Sequence, residues 1–374
     1  MTGRHRLGRP WSTVVATAFA AVAVAAGCAG PPVPSTAPSA ATGPPTAGLA
    51  TSPRGSVPLG PSVEPPSPWP AASGLPDRLL VLAGRPGAMT LETVDVTGAR
   101  AAIPLPDPDV AWISTDAVGR ALVTTRIGRA YISASIAGGR DPSWRRLEPS
   151  GIDPATTDAA LAFGTLAPDG TRAAFVAADF GSSGPFRIVI AAIPAGTARA
   201  IPVDRPAEGA PPAWAGDRLV VLTRECGDAP GVTLIDPATG ATADGPGPAG
   251  GSWPPAAPGG WTSRIAGLSL SGDGATVAVA STADGPIEIR RADDWLAGRP
   301  TDADRVELDP AADGSTSFSW LVASPDGTKL AVVRTDAAGD AAAVEVYAAD
   351  AGWRRTARVE LPPGTDRAVV AWLP

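Results

Sequence analysis

The segment Phe318–Val333 reads FSWLVASPDGTKLAVV and contains the unit from which most of the chain is built. An apolar run around Trp320 leads into a Ser-Pro-Asp-Gly turn, and a second, nearly unbroken apolar run follows. Apolar runs of this length bounded by turn residues predict two β-strands joined by a tight turn. The number of times that this unit recurs in the sequence therefore predicts the fold class.

The unit returns at intervals of about 52 residues, a period typical of propeller blades and similar arrays. Successive phase positions are separated by 51, 51, 53, 53 and 52 residues, and four of the six carry tryptophan. The six positions are Trp112, Phe163, Trp214, Gly267, Trp320 and Trp372. Regular spacing of this kind predicts one sheet per unit.

Each unit contains further strand-like segments. Second strands are predicted at 77–83, 120–123, 172–176, 218–222, 275–280 and 329–333. Third strands are predicted at 90–96, 130–136, 187–193, 232–235, 287–291 and 343–347. Weaker fourth strands are predicted at 99–104, 144–149, 198–202, 306–310 and 357–362. The second strands are apolar without alternation, which predicts that both of their faces are covered by neighbouring blades. The unit at Trp214 fits least well, with a clipped first turn and almost no fourth strand.

Counting the units also predicts how the ring closes. One period before Trp112 lies Gly60, in proline-rich sequence, so the first unit has no innermost strand of its own. Conversely, Arg367–Leu373 has the pattern of an innermost strand and no partner strands after it. We therefore predict an all-β, six-bladed β-propeller over residues 77–374 whose C-terminal strand completes the first blade, which removes an exposed sheet edge.

Residues 1–27 are predicted to be a lipoprotein signal peptide. Three arginines precede an apolar stretch of 16 residues, Trp11–Ala26, which is shorter than the roughly 20 residues of a membrane span. Ala25–Cys28 resembles a bacterial lipobox, which implies diacylglyceryl attachment and acylation, for example with palmitate, at Cys28. Two acyl chains suffice for stable anchoring. An ordinary secretory signal with an incidental cysteine is the alternative.

Residues 28–76 are predicted to be a tether that carries the lipidated Cys28 at its start. From 29 to 76 there are 14 prolines and only two charged side chains, Arg54 and Glu64, among mostly Ala, Ser, Thr and Gly. Such a composition lacks the apolar bulk needed to fold, so an extended, disordered linker is expected. It would hold the propeller away from the membrane.

Composition narrows the function classes. Three of the 30 Lys and Arg residues lie in the predicted signal, leaving 27 against 37 Asp and Glu, a formal charge of −10 that disfavours nucleic acid as a partner. The single histidine, His5, also lies in the signal, which excludes His-dependent catalysis and metal binding in the mature chain. No cofactor or metal motif is present in the sequence. Cys226 is the one remaining thiol, and a small buried residue is favoured over a reactive one.

Three of the turns carry a resemblance to a known family. Leu166–Arg172, Leu270–Gly274 and Ala323–Lys329 are similar to the Ser-Pro-Asp-Gly turn of TolB-type, WD40-like propellers, which occur in bacterial envelope proteins. The resemblance covers residues 77–374 and implies the fold. TolB proteins carry a further folded domain before the propeller, where this chain has the predicted tether, so their particular partners are not implied.

The recurring aspartates of these turns, Asp169, Asp273 and Asp326, invite a catalytic or calcium-binding interpretation. An aspartate in such a turn usually accepts hydrogen bonds from the backbone N–H groups of its own turn, while glycine supplies the positive φ. We therefore predict that these residues are turn caps. The sequence contains no Asp-x-Asp-x-Asp-Gly calcium loop.

The opposite end of the ring is the predicted binding mouth. Loops between second and third strands carry a charge in nearly every blade: Arg85, Arg126, Asp179, Arg224, Glu225, Asp284, Arg334 and Asp336. The Gly/Pro-rich connection 245–263 adds two aromatic residues, Trp253 and Trp261. Loops on a rigid propeller commonly carry the binding function, and aromatic anchors favour interfaces. The alternatives are a solvated rim of weak ion pairs and tryptophans that cover an apolar gap.

The sequence thus predicts a lipid-anchored, monomeric propeller on the outer face of the cytoplasmic membrane, which binds an envelope protein or peptide without catalysis. Two alternatives remain at this stage. One is a glycan-active enzyme that uses two carboxylates at the channel mouth. The other is a small-molecule sensor that uses the same mouth.

Overall fold

The computed structural model describes residues 78–95, 97–133, 136, 142–152, 160–178, 187–203, 211–223, 231–244, 267–280, 284–297, 302–310, 314 and 317–373. These residues form six antiparallel sheets of four strands each. Blade 1 has the order β24-β1-β2-β3, and blades 2 to 6 take the remaining strands in groups of four along the chain. The prediction of a six-bladed all-β propeller is confirmed.

The strands occupy equivalent places in every blade. Innermost strands are β4 Val110–Thr115, β8 Ala160–Leu166, β12 Ala213–Ala215, β16 Gly267–Leu270, β20 Phe318–Ala323 and β24 Arg367–Leu373. Second strands are β1 Arg78–Arg85, β5 Ala121–Thr125, β9 Arg172–Ala178, β13 Arg218–Thr223, β17 Thr276–Ala280 and β21 Lys329–Thr335. Third strands are β2 Ala88–Asp95, β6 Ala130–Ser133, β10 Arg187–Ala192, β14 Gly231–Ile235, β18 Ile287–Arg291 and β22 Ala341–Ala348. Outermost strands are β3 Arg100–Ile103, β7 Trp144–Leu147, β11 Ala198–Pro202, β15 Thr242–Asp244, β19 Asp304–Val306 and β23 Arg354–Glu360.

Closure occurs where the sequence predicts it. Strand β24 pairs antiparallel with β1, with Leu80 opposite Ala371 and Leu82 opposite Val369. Each innermost strand also contacts the innermost strands of the two adjacent blades, and β24 contacts both β20 and β4. The six innermost strands therefore form a continuous ring around a central channel.

The core is divided into six apolar clusters, one between each pair of adjacent blades. Strand β1 shows why the second strands carry no alternation: Leu79 and Val81 pack toward blade 6, while Leu80 and Leu82 pack toward blade 2. Both faces of such a strand are buried, so polar residues are excluded from both. The predicted two-sided burial is confirmed.

The Asp-Gly turns are capped by their own aspartates. Asp169, Asp273 and Asp326 each accept a hydrogen bond from the backbone N–H two residues later, at 2.9, 2.9 and 3.1 Å. The glycine that follows each aspartate has a φ of 64°, 70° or 68°. A left-handed φ favours glycine, so the two-residue signature follows from backbone geometry. The turn-cap prediction is confirmed for all three residues.

Two details differ from the sequence-based expectation. Blade 4 does have a fourth strand, β15, although it contains only three residues. In blade 5 a short helix, α1 (Ala292–Leu296), precedes the outermost strand. Its Trp295 is buried against Val220 and Leu222 of blade 4, in the cluster between blades 4 and 5. The helix was not predicted because a five-residue segment has no periodicity to detect.

We predict that deleting residues 366–374 abolishes cooperative unfolding. The deletion removes β24, leaving the inner edge of β1 unpaired and exposing two of the six inter-blade clusters. Calorimetry of the full and truncated chains measures the effect. A truncated chain that melts as sharply as the full chain contradicts closure by β24.

A single substitution in β24 separates the effect of losing the strand from the effect of losing one buried side chain. Trp372 is 3% exposed and packs between blades 6 and 1. Trp372→Ala should lower the free energy of unfolding by about 3 to 5 kcal/mol, as truncation of buried large aromatic residues does, while a single transition is retained. Urea unfolding monitored by circular dichroism measures this difference.

Candidate functional site

The central channel is lined by aromatic side chains of the innermost strands. Trp112, Trp214, Trp320 and Trp372 all contribute to its wall. Phe163 is the equivalent residue of blade 3 and contacts Trp112 edge to face, with ring centroids 5.0 Å apart. The repeat that reveals the fold therefore also places a set of large rings around one axis.

Three of these rings cross the channel in series. Trp112 of blade 2 contacts Phe163 of blade 3 on one side and Trp320 of blade 6 on the other, at 5.0 and 4.6 Å between centroids. Both contacts are edge to face, the favoured geometry for aromatic pairs. Blades 3 and 6 face each other in a ring of six, so the three rings form a bridge between opposite sides of the channel.

Irregularities in the backbone of the innermost strands orient these aromatic side chains. The innermost strands of blades 2, 3 and 6 each shift register against their second strand, between Val110 and Trp112, between Ala162 and Thr165, and between Phe318 and Trp320. A β-bulge redirects the side chains beside it. The backbone of Phe163 departs most from a regular strand, with a φ of 53°. This value is strained for an aromatic residue and favours a functional or packing role for its position.

Indole N–H groups tie neighbouring blades together at the channel. Trp320 donates to the carbonyl of Val370 at 3.0 Å, and Trp372 donates back to the carbonyl of Val322 at 2.9 Å. Trp214 donates to the carbonyl of Thr165 at 3.5 Å. Among the described residues, the indole N–H of Trp112 has no acceptor.

A cavity of about 150 Å³ lies at the end of the channel formed by the turns between first and second strands, which we call the Asp-Gly mouth. All six innermost strands contribute to its wall, and Ala117, Pro168, Gly272 and Pro325 form its edge. This end is opposite to the binding mouth predicted from the sequence. Sequence reasoning missed the cavity because an open space between strands has no local sequence pattern.

Hydroxyl groups form much of the polar part of the cavity wall. Ser114, Thr165 and Ser269 each lie two residues after the phase position of their blade. The Ser114 Oγ accepts a hydrogen bond from the Leu166 N–H at 3.0 Å, and the Ser269 Oγ accepts one from the Ala323 N–H at 2.9 Å. Reading the repeat two positions beyond the phase positions Trp112, Phe163 and Gly267 is the signal that would have found these residues.

The described part of the cavity wall contains a single carboxylate, Asp116. Its side chain is fully buried, accepts hydrogen bonds from the backbone N–H groups of Val118 and Arg120, and pairs with the Arg120 guanidinium at 2.5 Å. Hydrolysis of glycosidic bonds by the usual mechanism needs two carboxylates. The wall therefore gives no support to the alternative of a glycan-active enzyme.

The other end of the channel, which we call the arginine mouth, contains Arg85, Arg126 and Arg367. Arg85 is exposed and pairs with Asp366 at 3.4 Å, while its Nε donates to the Gly364 carbonyl at 3.0 Å. Arg126 is exposed in the turn after β5, and its backbone N–H donates to the Asp109 carbonyl at 3.0 Å. The structure thus brings together two predicted site residues and adds Arg367.

Arg367 is the residue of this mouth that the sequence analysis did not single out. Its guanidinium carbon lies 5.7 Å from the centroid of Trp112, a cation-π contact. Among the described residues Arg367 has no carboxylate partner. Its side chain is accessible to solvent but enclosed by the channel walls, so desolvation lowers its pKa, and the nearby Arg126 charge lowers that pKa further.

The remaining predicted mouth residues have separate surroundings. Asp284 is exposed in the turn before β18. Asp336 caps its own turn by accepting the backbone N–H groups of Ala338 and Asp340 at 2.9 and 3.0 Å. Asp179, Arg224, Glu225, Trp253, Trp261 and the two cysteines, Cys28 and Cys226, lie outside the described residues, so their assignments stay predictions.

The burial of Arg334 corrects the prediction that its charge lies at the binding mouth. It is 1% exposed and lies 3.9 Å from the Glu345 carboxylate on the face of blade 6 that packs against blade 5. The position of Arg334 near the end of a second strand suggested a loop residue. In the structure β21 continues to Thr335, so the side chain of Arg334 turns into the blade interface.

Glu345 is the centre of a buried charge cluster. Its side chain is fully buried and accepts hydrogen bonds from Tyr347, Arg355 and Arg358, each at 2.7 Å. Desolvation alone would raise the pKa of Glu345, but the hydrogen bonds from Tyr347 and Arg355 and the Arg334 charge hold it below its ordinary value. Burial, followed by the hydrogen bond to Glu345, raises the pKa of Tyr347. The carboxylate is therefore ionised at neutral pH and holds three arginines in place.

We predict that Glu345→Gln lowers the free energy of unfolding by about 3 to 5 kcal/mol at pH 7, because it leaves buried arginine charge uncompensated. Since the folded-state pKa of Glu345 lies below its unfolded-state value, the stabilisation is fully present above the unfolded-state value. It disappears as pH falls through the folded-state pKa. Urea unfolding from pH 7 down to the acid limit should show the two chains converging.

The matched control is Glu360→Gln. Glu360 pairs with Arg358 at 2.6 Å but is 68% exposed, so its loss should change stability by less than about 1 kcal/mol. Equal effects of the two substitutions would show that burial of Glu345 does not determine its contribution.

Within the described residues, no group of three or more His, Cys, Asp or Glu side chains is placed to hold a metal ion. No helix in the same part of the chain is long and apolar enough to cross a membrane.

No protein-family model matches this sequence, and no curated protein matches it. Solved structures do share the fold. TolB from Acinetobacter baumannii aligns with a TM-score of 0.54 and 14% identity, over 79% of this chain and 67% of that chain. A protein described as TolB from Agrobacterium tumefaciens aligns with a TM-score of 0.52 and 17% identity, over 80% of this chain and 99% of that chain.

A chain of a nidogen/laminin complex has a similar score, 0.52, at 11% identity, over 79% of this chain and 98% of that chain. At these identities the similarity concerns the fold alone. The described residues form a TolB-like six-bladed β-propeller.

Proposed function

We propose that this chain is a lipid-tethered, extracytoplasmic β-propeller that binds an envelope protein or peptide without catalysing a reaction. In this proposal residues 1–27 are a signal peptide, residues 28–76 carry the lipidated Cys28 and a linker, and residues 77–374 are the propeller. The protein lies on the outer face of the cytoplasmic membrane. It needs no cofactor.

The arginine mouth is the observation that carries the proposal. Arg126 and Arg367 are exposed at one opening of a rigid ring, close enough for their charges to interact. Arg367 has no carboxylate partner within the described residues, and it rests on the face of Trp112. Guanidinium groups in this setting favour a carboxylate from a partner, because a charge-assisted hydrogen bond replaces the repulsion between the two arginines.

An acidic segment of a protein or peptide therefore fits this mouth best. The ring supplies the rigidity that loop-based recognition requires, since each blade is held by two inter-blade clusters. One of the structurally similar chains belongs to a nidogen/laminin complex, so this fold occurs in a protein assembly. That similarity supports the class of function and not a particular partner.

We predict that the double variant Arg126→Glu, Arg367→Glu loses its partner. Reversing both charges turns attraction for a carboxylate into repulsion, which should reduce the yield of cross-linked partner at least about tenfold. The measurement is chemical cross-linking in native membranes with the full anchored chain, followed by quantitative mass spectrometry. A melting temperature close to that of the parent confirms that the variant is folded.

The matched control is Arg146→Glu, on outermost strand β7 and 56% exposed. Its cross-linked products should equal those of the parent chain. If the double variant retains the same partners as Arg146→Glu, the arginine mouth is not the binding surface.

We predict that Cys28→Ser abolishes acylation and moves the protein from the membrane to the soluble fraction. Stable anchoring needs two acyl chains, and the proposal places all of them on Cys28. Labelling with an alkyne analogue of palmitate, together with fractionation, measures both effects. Cys226→Ser is the control, and it should keep the label; a labelled, membrane-bound Cys28→Ser chain contradicts the lipoprotein assignment.

A further inference from the structure

Arg367 lies below the rim of the arginine mouth. It is the first residue of innermost strand β24 and pairs with Gly84 inside the ladder between β24 and β1. Strand β1 continues past this level to Arg85, and the exposed turn residues Pro86 and Gly87 follow it. The tip of this turn is thus at least two residues beyond Gly84, which is roughly 7 Å along a strand. Arg367 is therefore recessed in the opening.

The guanidinium of Arg367 extends inward and not toward the rim. Its central carbon lies 5.7 Å from the centroid of the Trp112 ring. Trp112 is two residues further into the channel than Val110, where β4 begins at this end. The side chain of Arg367 nevertheless remains exposed to solvent. A guanidinium that rests on an aromatic face keeps its N–H groups directed outward in the plane of the guanidinium, where they can donate to a carboxylate.

The aromatic bridge obstructs the channel beneath Arg367. Trp112 contacts Phe163 and Trp320, with ring centroids 5.0 and 4.6 Å apart. Trp112 and Trp320 also line the cavity of the Asp-Gly mouth, whereas Arg367 does not. The arginine and that cavity therefore lie on opposite sides of the bridge. A polypeptide that enters the arginine mouth meets this aromatic layer, so a chain end fits the opening better than a segment that passes through.

The charge of the opening favours an anion. The carboxylate next to Arg367 in the sequence, Asp366, pairs with Arg85 at 3.4 Å. Desolvation and then the charge of Arg126 lower the pKa of Arg367, and no carboxylate among the described residues opposes them. Arg126 is itself exposed. A carboxylate that reaches Arg367 can accept two hydrogen bonds from its guanidinium and reduces the repulsion between the two arginines.

The depth of Arg367 distinguishes two sources of that carboxylate. Aspartate and glutamate side chains carry it on one or two methylene groups, which span less than the depth from the rim to Arg367. The main chain advances about 3.3 Å per residue when extended, so two or three terminal residues bring a C-terminal carboxylate to this depth. An N-terminal ammonium group would be repelled by both arginines.

We propose that the arginine mouth recognises the free C-terminal carboxylate of a partner protein or peptide, with Arg367 as its principal hydrogen-bond donor and Arg126 as a second positive charge at the rim. The inference rests on the proposed function and narrows the partner from an acidic segment to a chain end. It assigns different tasks to the two arginines: Arg367 selects the carboxylate, and Arg126 adds electrostatic attraction.

The experiment compares three pools of hexapeptides that carry a fluorophore at the N-terminus. The first pool has randomised positions without Asp or Glu and a free C-terminal carboxylate; the second has the same sequences with a C-terminal amide. The third is amidated and contains one central Asp, so its net charge equals that of the first. Fluorescence anisotropy with the full chain measures affinity. The first pool should bind at least about tenfold more tightly than the other two, the ratio that charge-assisted hydrogen bonds supply.

Arg367→Gln tests the proposed donor. The ratio of affinities for the acid and amide pools should fall from at least about ten to near one, while the affinity for the amide pool stays at the parent value. The melting temperature should not fall, because the substitution removes a desolvated charge that has no carboxylate partner among the described residues. A merely structural role of Arg367 would instead lower the melting temperature and weaken both pools equally.

Arg146→Gln is the matched control. It removes the same charge from outermost strand β7, where Arg146 is 56% exposed and pairs with Glu148. The ratio of affinities for the acid and amide pools should stay at the parent value. The proposal is overturned if no pool binds, if the acid and amide pools bind equally, if the pool with a central Asp matches the acid pool, or if Arg367→Gln keeps the parent ratio.

Failure of this inference is distinguishable from failure of the proposed function. If the double variant Arg126→Glu, Arg367→Glu loses its cross-linked partner but the pool with a central Asp binds as tightly as the acid pool, the interaction function stands and recognition of a chain end is wrong. If the double variant keeps its partner, both are wrong.

Discussion

The antiparallel pairing of β24 with β1 is the contact on which the rest of the molecule depends. Without it, the first blade has no innermost strand, and the ring of first strands has a gap between β20 and β4. The two tryptophans at this junction donate hydrogen bonds to each other's strands, Trp320 to Val370 and Trp372 to Val322. Closure thus joins residues nearly 300 positions apart and converts a row of sheets into a channel with two mouths.

The lining of the channel depends on places where individual blades depart from the regular four-stranded pattern. Bulges in blades 2, 3 and 6 turn Trp112, Phe163 and Trp320 toward one another across the axis. The shortened strand β12 of blade 4 leaves Thr165 without the partner that its counterparts in two other blades have.

Charge is divided between a buried cluster and an exposed mouth. Glu345 with its three arginines fills the boundary between blades 5 and 6, where hydrogen bonds offset the cost of burial. Arg367 at the channel mouth contacts the ring of Trp112, and no carboxylate among the described residues pairs with it. Arginine side chains are thus buried against a carboxylate in one place and exposed at the channel opening in the other.

Period, turn chemistry and apolar patterning were enough to predict six blades, closure by the C-terminal strand, and aspartate-capped turns, because each is a local property repeated along the chain. The candidate site was predicted only in part: Arg85 and Arg126 lie at the expected mouth, whereas Arg334 is buried and Arg367 was missed. Local sequence determines which strand a residue belongs to and which way it alternates. Tertiary structure decided which groups meet across blades, because the orphan hydroxyl of Thr165, the aromatic bridge and the Glu345 cluster each depend on the spacing between different sheets.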